Sequence, residues 1–320
     1  MKRLYPWGCV LMLAACTTVS AQNYPTKSIR LMMPNAPGSS IDTLGRILTV
    51  RLSEVLGQQV VVDNRAGAGG MLGMEIGKNA SPDGYTLISA STAAMSIAPH
   101  IYKQLPYDPL RDYEFISMFA ITPNVLVVNP GLPAKSVKEL IDYAKSKGGQ
   151  LNMASAGTGS QSHLSGTAFM LAAGFDSLHV PYKGGGPSVA SVVANESQWT
   201  ITPAPAVMSL VRAGRLRALG HSLAQRSATL GDMPSIKETV PAFEYSGWNG
   251  LLAPKGTPRP ILNKLRDSLI KAVNTPELKA QFAAQGAEVV TNTPEDFRKF
   301  LQGEIASTAK IVKAAGLKSE

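Results

Sequence analysis

Residues 28–62 read SIRLMMPNAPGSSIDTLGRILTVRLSEVLGQQVVV. Ser28 to Met33 is a β-type apolar run, and a loop of Pro, Asn, Gly and Ser follows it. Leu44, Ile47, Leu48, Leu52, Val55 and Leu56 then recur at helical spacing, and Gly57 is placed to stop that helix as a C-cap. Gln59 to Val62 is the next short apolar run. Strand, Gly/Ser loop, helix, strand is the order of a parallel α/β layer.

The same plan continues. Arg65 to Gly70 is a glycine-rich loop before a helix from Met71 to Ala80, and Tyr85 to Ala90 is a strand ending at Ser91 and Thr92. Asn124 to Asn129 reads as a strand, Ser136 as the cap of a helix from Val137 to Ser146, and Leu151 to Ala154 as another strand. Residues 155–163 form a second Gly/Ser loop, and a helix runs on to Gly174. Short strands follow at Leu178 to Val180, Arg217 to His221 and Trp248 to Ala253. Thr257-Pro258, Thr275-Pro276 and Thr293-Pro294 each read as a Thr cap with Pro opening a helix, with a short strand at Glu288 to Val290. Two α/β units are expected: residues 22–124 with 248–320, and residues 125–247.

The 320 residues, 44% hydrophobic and 17% charged, suffice for one large domain or two medium ones. No stretch of the body reaches the roughly 18 apolar residues of a membrane span. Residues 1–21 differ: Lys2 and Arg3 precede an apolar run from Val10 to Ala15, and Val19-Ser20-Ala21 reads as a cleavage site of an export signal. A competing reading takes Leu13-Ala14-Ala15-Cys16 as a lipoprotein box, with Cys16 lipidated. Either way the protein is expected outside the cytoplasm. Cys9 and Cys16 are its two cysteines, so cleavage after Ala21 would leave no disulfide framework, thiol nucleophile or thiolate metal site.

The formal charge is +9, and +7 without Lys2 and Arg3. Its cations are dispersed, without a basic block interleaved with aromatics, which argues against nucleic acid. A positive field of this kind also favours capture of anionic solutes.

LNMASAGTGSQSHLSGTAFML, residues 151–171, echoes the opening stretch: strand, Gly/Ser loop, helix. In an open parallel sheet such loops lie at the carboxyl ends of strands, where ligands bind. A helix N-terminus offers free N–H groups, and glycine allows close backbone approach, so an anion is held without a charged side chain. Two such loops from two domains would grip one small anion between them. The loop lacks the closing Gly-Lys-Ser/Thr of a phosphate loop, falls a glycine short of the dinucleotide pattern, and has no Gly-x-Ser-x-Gly elbow. A Ser/His hydrolase using Ser160 or Ser162 with His163 stays open, although such a pair needs an orienting acid. His163 otherwise reads as a first-turn helix residue or a cleft residue. Asp42 is the N-cap of the first helix or a cleft residue. His100, His179 and His221 are scattered and outline no metal site.

Taken together, YPTKSIRLMMPNAPGSSID, VVVDNRAGAGGMLGME, SPDGYTL, LNMASAGTGSQSHL, HVPYKGGGPSV, GWNGLLAPKGTP and AAQGAEVV resemble one family, the Bug-type periplasmic solute-binding proteins of tripartite tricarboxylate transporters. The resemblance runs from Tyr24 to Gly316. It implies an α/β, two-domain periplasmic-binding-protein fold of type II-like build, with a hinged cleft between two Rossmann-like domains. It also implies a small organic carboxylate as ligand and a membrane permease, or a sensor, as partner. No enzymatic activity, cofactor or metal is expected, and a monomer is. Carried onto this chain, the family's carboxylate grip falls on the backbone of Ala36, Pro37, Gly38, Ser39, Ser40 and Asp42, and of Ser155, Ala156, Gly157, Thr158, Gly159 and Ser160, with His163 beside them. Ser91 and Thr92, and Tyr182, Lys183 and Gly184, would contact the rest of the ligand; by its place after a strand, Lys183 reads either as counter-ion to a second carboxylate or as an ordinary exposed lysine. In NESQWTITPAP, residues 195–205, Gln198 and Thr202 stand where family members often carry acids. That departure argues against an acidic amino acid as ligand. Trp199 and Thr202 are expected to shape an uncharged or aromatic end instead.

Overall fold

The computed structural model describes residues 24–243, 245–314 and 316–317. The export signal expected at residues 1–21, with Cys9 and Cys16, lies outside them. The opening grammar folds as expected. β1 (Ile29–Met33) pairs in parallel with β2 (Val60–Asn64) and with β3 (Thr86–Ser91), and α1 (Ser40–Leu56) makes the crossover. Leu44, Leu48, Leu52 and Leu56 form the buried stripe of α1, each contributing about 1.5–3 kcal/mol on burial. Gly57 closes the helix in the left-handed conformation, φ 69°, its N–H donating to Ser53 O. α2 (Met71–Lys78) and α3 (Ala98–Ile101) follow.

The long β4 (Tyr113–Val128) joins the two halves of the sheet. The sequence reading starts this strand at Asn124, whereas the structure starts it eleven residues earlier. From Tyr113 to Pro123, β4 pairs antiparallel with β9 (Ser246–Pro254); from Asn124 to Val128 it pairs with β7 (Trp199–Pro203) and β8 (Arg217–His221). Pro123 has no N–H to donate to the ladder. Here it marks the change of partner.

The second half repeats the first. α4 (Val137–Ser146) precedes β5 (Asn152–Ser155), and α5 (Gln161–Ala173) crosses over to the parallel β6 (Leu178–Pro181). α6 (Gly185–Val193) leads into β7, and α7 (Met208–Arg212) into β8. After β9 come α8 (Arg259–Val273), α9 (Pro276–Ala284), β10 (Glu288–Val289) and α10 (Pro294–Ala314). The sheet order is β2-β1-β3-β9-β4-β7-β5-β6, with β8 and β10 also on β4. Strand β9 thus returns the chain to the first half, and α8 packs there against α1 and β4.

Two expectations need correction. Thr257 does not cap α8: its hydroxyl donates to Pro254 O, and Pro258 occupies the N-cap, because Pro258 and Pro260 both fix the entry backbone. Thr275 and Thr293 do cap, accepting from Leu278 N and Asp296 N. Trp199 does not shape a ligand site. It is fully buried in the core, edge-on to Phe169 at 5.9 Å, with its indole N–H donating to Ser177 Oγ at 2.9 Å. Period-2 alternation on β7 turns Trp199 to the core.

Candidate functional site

The two echoing loops close into the same turn. In the first, Ser39 N donates to Ala36 O and Thr43 N to Ser39 O; in the second, Ser160 N donates to Gly157 O and Leu164 N to Ser160 O. The N-cap backbone angles match, φ −71° and ψ 161° at Ser39 against φ −72° and ψ 162° at Ser160. Each loop therefore presents the first-turn amides of its helix, at Ser40 and Ile41 and at Gln161 and Ser162, which have no intrahelical acceptors. Both helices also point the positive end of their dipole at the cavity between the loops.

The side chains differ. Ser160 Oγ accepts from His163 N at 3.3 Å and caps α5. Ser39 Oγ makes no cap bond and is buried without a hydrogen-bond partner among the described residues. Asp42 takes over the organisation of the first loop. It is not the N-cap; it sits in the first turn and accepts from Gly38 N at 2.9 Å, Arg46 Nε and Asn64 Nδ2. Burial alone would raise its pKa, but these hydrogen bonds and the Arg46 charge hold the carboxyl below its usual range.

In the second loop, Ala156 N donates to Ser162 Oγ, Gly157 N to Ser155 Oγ and Gly159 N to His163 Nδ1, at 2.9, 3.1 and 3.1 Å. Three amides expected to face a ligand are thus engaged inside the loop. They shape it, and the first-turn residues beyond them, Gln161 and Ser162, line the cavity. Behind the loop, the rings of His163 and His179 stack at 3.8 Å, and His179 Nε2 lies 2.6 Å from Ser155 Oγ. Burial, and then the proximity of His179, push His163 down to about 4, so its ring is neutral near pH 7. Gly159 has φ +72°, and a Cβ there would lie 2.1 Å from Ile101 Cδ1; glycine lets the loop seat on α3.

The cavity between the loops measures about 530 Å³, within the range of small-molecule sites. Of the expected residues, Ala36, Ser39, Ser40, Ser91, Ala156, Gly157, Thr158, Ser160, Lys183, Gly184 and Thr202 line it. Asp42, Ser155, Gly159 and His163 are buried outside the lining, whereas Pro37 and Gly38 are exposed on the first loop and do not line the cavity. Thr92 accepts from Trp248 N and ties β3 to β9, and Tyr182 OH lies 3.3 Å from Ser197 Oγ. Gln198 lies outside the wall, its Oε1 accepting from Asn152 N.

Residues 44–317 match the family model described as the tripartite tricarboxylate transporter family receptor, TctC. The chain belongs to this receptor family. It is 37% identical to protein BugT of Bordetella pertussis over 302 residues, 94% of this chain and 93% of BugT. Among solved structures, Rpa4515 of R. palustris with adipate superposes with a TM-score of 0.89 at 32% identity, covering 93% of this chain and 100% of the other. The periplasmic binding protein BugD superposes with a TM-score of 0.87 at 31% identity, covering 93% and 100%. The fold is the α/β fold of these periplasmic binding proteins.

The family is one of solute receptors. Ser160 Oγ has Ser162 Oγ at 3.2 Å and His163 N at 3.3 Å, while the His163 ring takes Gly159 N and stacks on His179. The imidazole therefore does not meet either serine as a base. The Ser155–His179 pair is close, but Ser155 is fully buried outside the cavity wall. Among the described residues, no group of three His, Cys, Asp or Glu side chains is placed to hold a metal.

The cavity also has lining residues that the sequence analysis does not name as such. Asn35, Ala66, Gly67, Gly70, Thr122, Gln161 and Asn249 line the cavity. The Arg65–Gly70 loop repeats the strand–glycine loop–helix grammar and was legible as wall. Thr122 and Asn249 come from β4 and β9, inside ordinary strands, and carry no local signal. Asn35 Oδ1 and Asn249 Oδ1 are buried without hydrogen-bond partners among the described residues, so the wall retains polar capacity beyond the loops.

Proposed function

We propose that this protein captures one small organic carboxylate between two domains and delivers it to the membrane permease of a tripartite tricarboxylate-type transporter. The observation that carries this reading is the pair of matched helix N-termini, at Ser39 and Ser160, opening on one cavity. One carboxylate group sits between first-turn amides of α1 and α5, with Ser39 Oγ as an added partner. Lys183 is the single ionisable side chain among the lining residues and answers a second acid group. An adipate-bound relative fits a ligand of this type. With no Asp or Glu in the wall, an ammonium group has no counter-ion, so acidic amino acids are poor ligands.

The domains divide at residues 22–124 with 248–320, and 125–247, supported by the change of partner along β4 at Pro123 and Asn124. Ligand draws the two together by hinge bending, and the closed form meets the permease. The export signal of residues 1–21 directs the protein to the periplasm, where it acts as a monomer, released after Ala21 or lipid-anchored through Cys16.

Calorimetric titration of the chain from Gln22 onward, with mono-, di- and tricarboxylates and acidic amino acids, tests the reading. Dicarboxylates should bind the wild type, and Lys183→Gln should lose about tenfold for dicarboxylates and little for monocarboxylates. Aspartate or glutamate binding in preference to plain dicarboxylates would sink the assignment.

A further inference from the structure

A second cavity, of about 110 Å³, lies away from the cleft, where β4, α8 and α10 meet. Helical spacing aims Arg259 and Arg266, seven residues apart on α8, at the same side, and α10 brings Arg298 opposite. Phe115 forms part of the wall. The Arg298 guanidinium lies 4.4 Å over its ring and donates to Leu110 O, so this arginine is held in place.

The charges around the cavity are unbalanced. Of the two carboxylates on its wall, Glu114 already pairs with Lys255 Nζ at 2.9 Å and accepts from Gly256 N. Glu295 is exposed and makes no ion pair among the described residues. None of the three arginines has an ion-pair partner among the described residues either, and Arg266 Nε is buried without an acceptor. A buried guanidinium donor left unsatisfied is destabilising, and clustered like charges add to it. Both penalties vanish when an oxyanion enters. The volume holds about three or four water-sized groups, the scale of one phosphate or carboxylate head. The planar fork of arginine matches either.

We propose that this pocket binds one phosphate- or carboxylate-type oxyanion group, separately from the cleft. Two sources share that chemistry: a free oxyanion, or an acidic side chain offered by a protein partner.

The test follows the Nε–Hε NMR signals of the three arginines, a local readout because no arginine lines the cleft. The full mature chain is titrated with inorganic phosphate and, separately, with N-acetylglutamate amide. Movement of the Arg266 signal with phosphate supports the site and a free oxyanion. Movement with the glutamate derivative alone supports the site and points to a partner's side chain. In Arg266→Gln the affinity for the active probe should fall about tenfold, while cleft affinity for its carboxylate stays unchanged. Thermal stability of Arg266→Gln without the probe should equal or exceed the wild type, since repulsion is relieved. Silence of all three signals with both probes overturns the proposal. So does a variant equally destabilised with and without the probe, because that marks a structural arginine.

Discussion

Gln161 Nε2 donates to Asn124 Oδ1 across 3.1 Å. Gln161 lines the cavity in the first turn of α5, and Asn124 is fully buried where β4 changes partners. Asn124 also donates from Nδ2 to Tyr245 O and from its backbone to Ser222 Oγ. One side chain thus touches both the ligand cavity and the strand crossing.

Gly247 keeps this contact open. A Cβ at Gly247 would lie 2.0 Å from Gln161 Nε2 and 2.8 Å from Thr122 Oγ1. Gly247→Ala should displace the Gln161 amide, lower stability by about 1–3 kcal/mol and weaken ligand binding. Chemical denaturation and calorimetry measure the two effects. Unchanged affinity in a folded Gly247→Ala protein would remove Gln161 from the binding site.

The two N-cap serines should separate stability from binding. Ser160→Ala removes the bond from His163 N and should cost about 0.5–2 kcal/mol of stability. Ser39→Ala removes a buried hydroxyl with no cap bond, so stability should hold or rise while ligand affinity drops several-fold. The reverse pattern, with Ser39→Ala destabilised and its affinity intact, would show that the Ser39 hydroxyl serves the fold.

Acid should loosen the second loop. His163 lies at about 4 against an ordinary 6.5, so between those values the unfolded chain binds more protons than the folded one. Its contribution is complete above pH 6.5 and is lost as pH falls through 4. The loss is on the order of a few kcal/mol. Burial shifts His179 the same way, and protonated His163 Nδ1 can no longer accept from Gly159 N. Melting temperature and carboxylate affinity should both decline from pH 6.5 to 4, with a shallower stability slope in His163→Gln. A melting temperature independent of pH in that window refutes this account.

The parallel core and both Gly/Ser loops were legible in the chain because their signals are local. Periodic leucines in α1, Gly57 at its end, and glycines ahead of two helices each act over a few residues. The strand from Tyr113 to Pro123 was not, because its pairing with β9 spans more than a hundred residues. Trp199 illustrates the same limit. Its aromatic character is plain, but the face it takes depends on the register of β7 between β4 and β5.

The sequence by itself determined where two helix N-termini open after strands, and therefore that the chain holds backbone donors suited to an anion. Only the tertiary structure decided which donors remain for it. Asp42 and His163 take the amides of Gly38 and Gly159 from inside each loop, while Thr122 and Asn249 reach the cavity from strands far along the chain. The physical reason is that turn and cap chemistry is written within four residues of itself. Hydrogen-bond competition inside a packed loop, and the convergence of distant strands on one wall, exist only after the sheet has assembled.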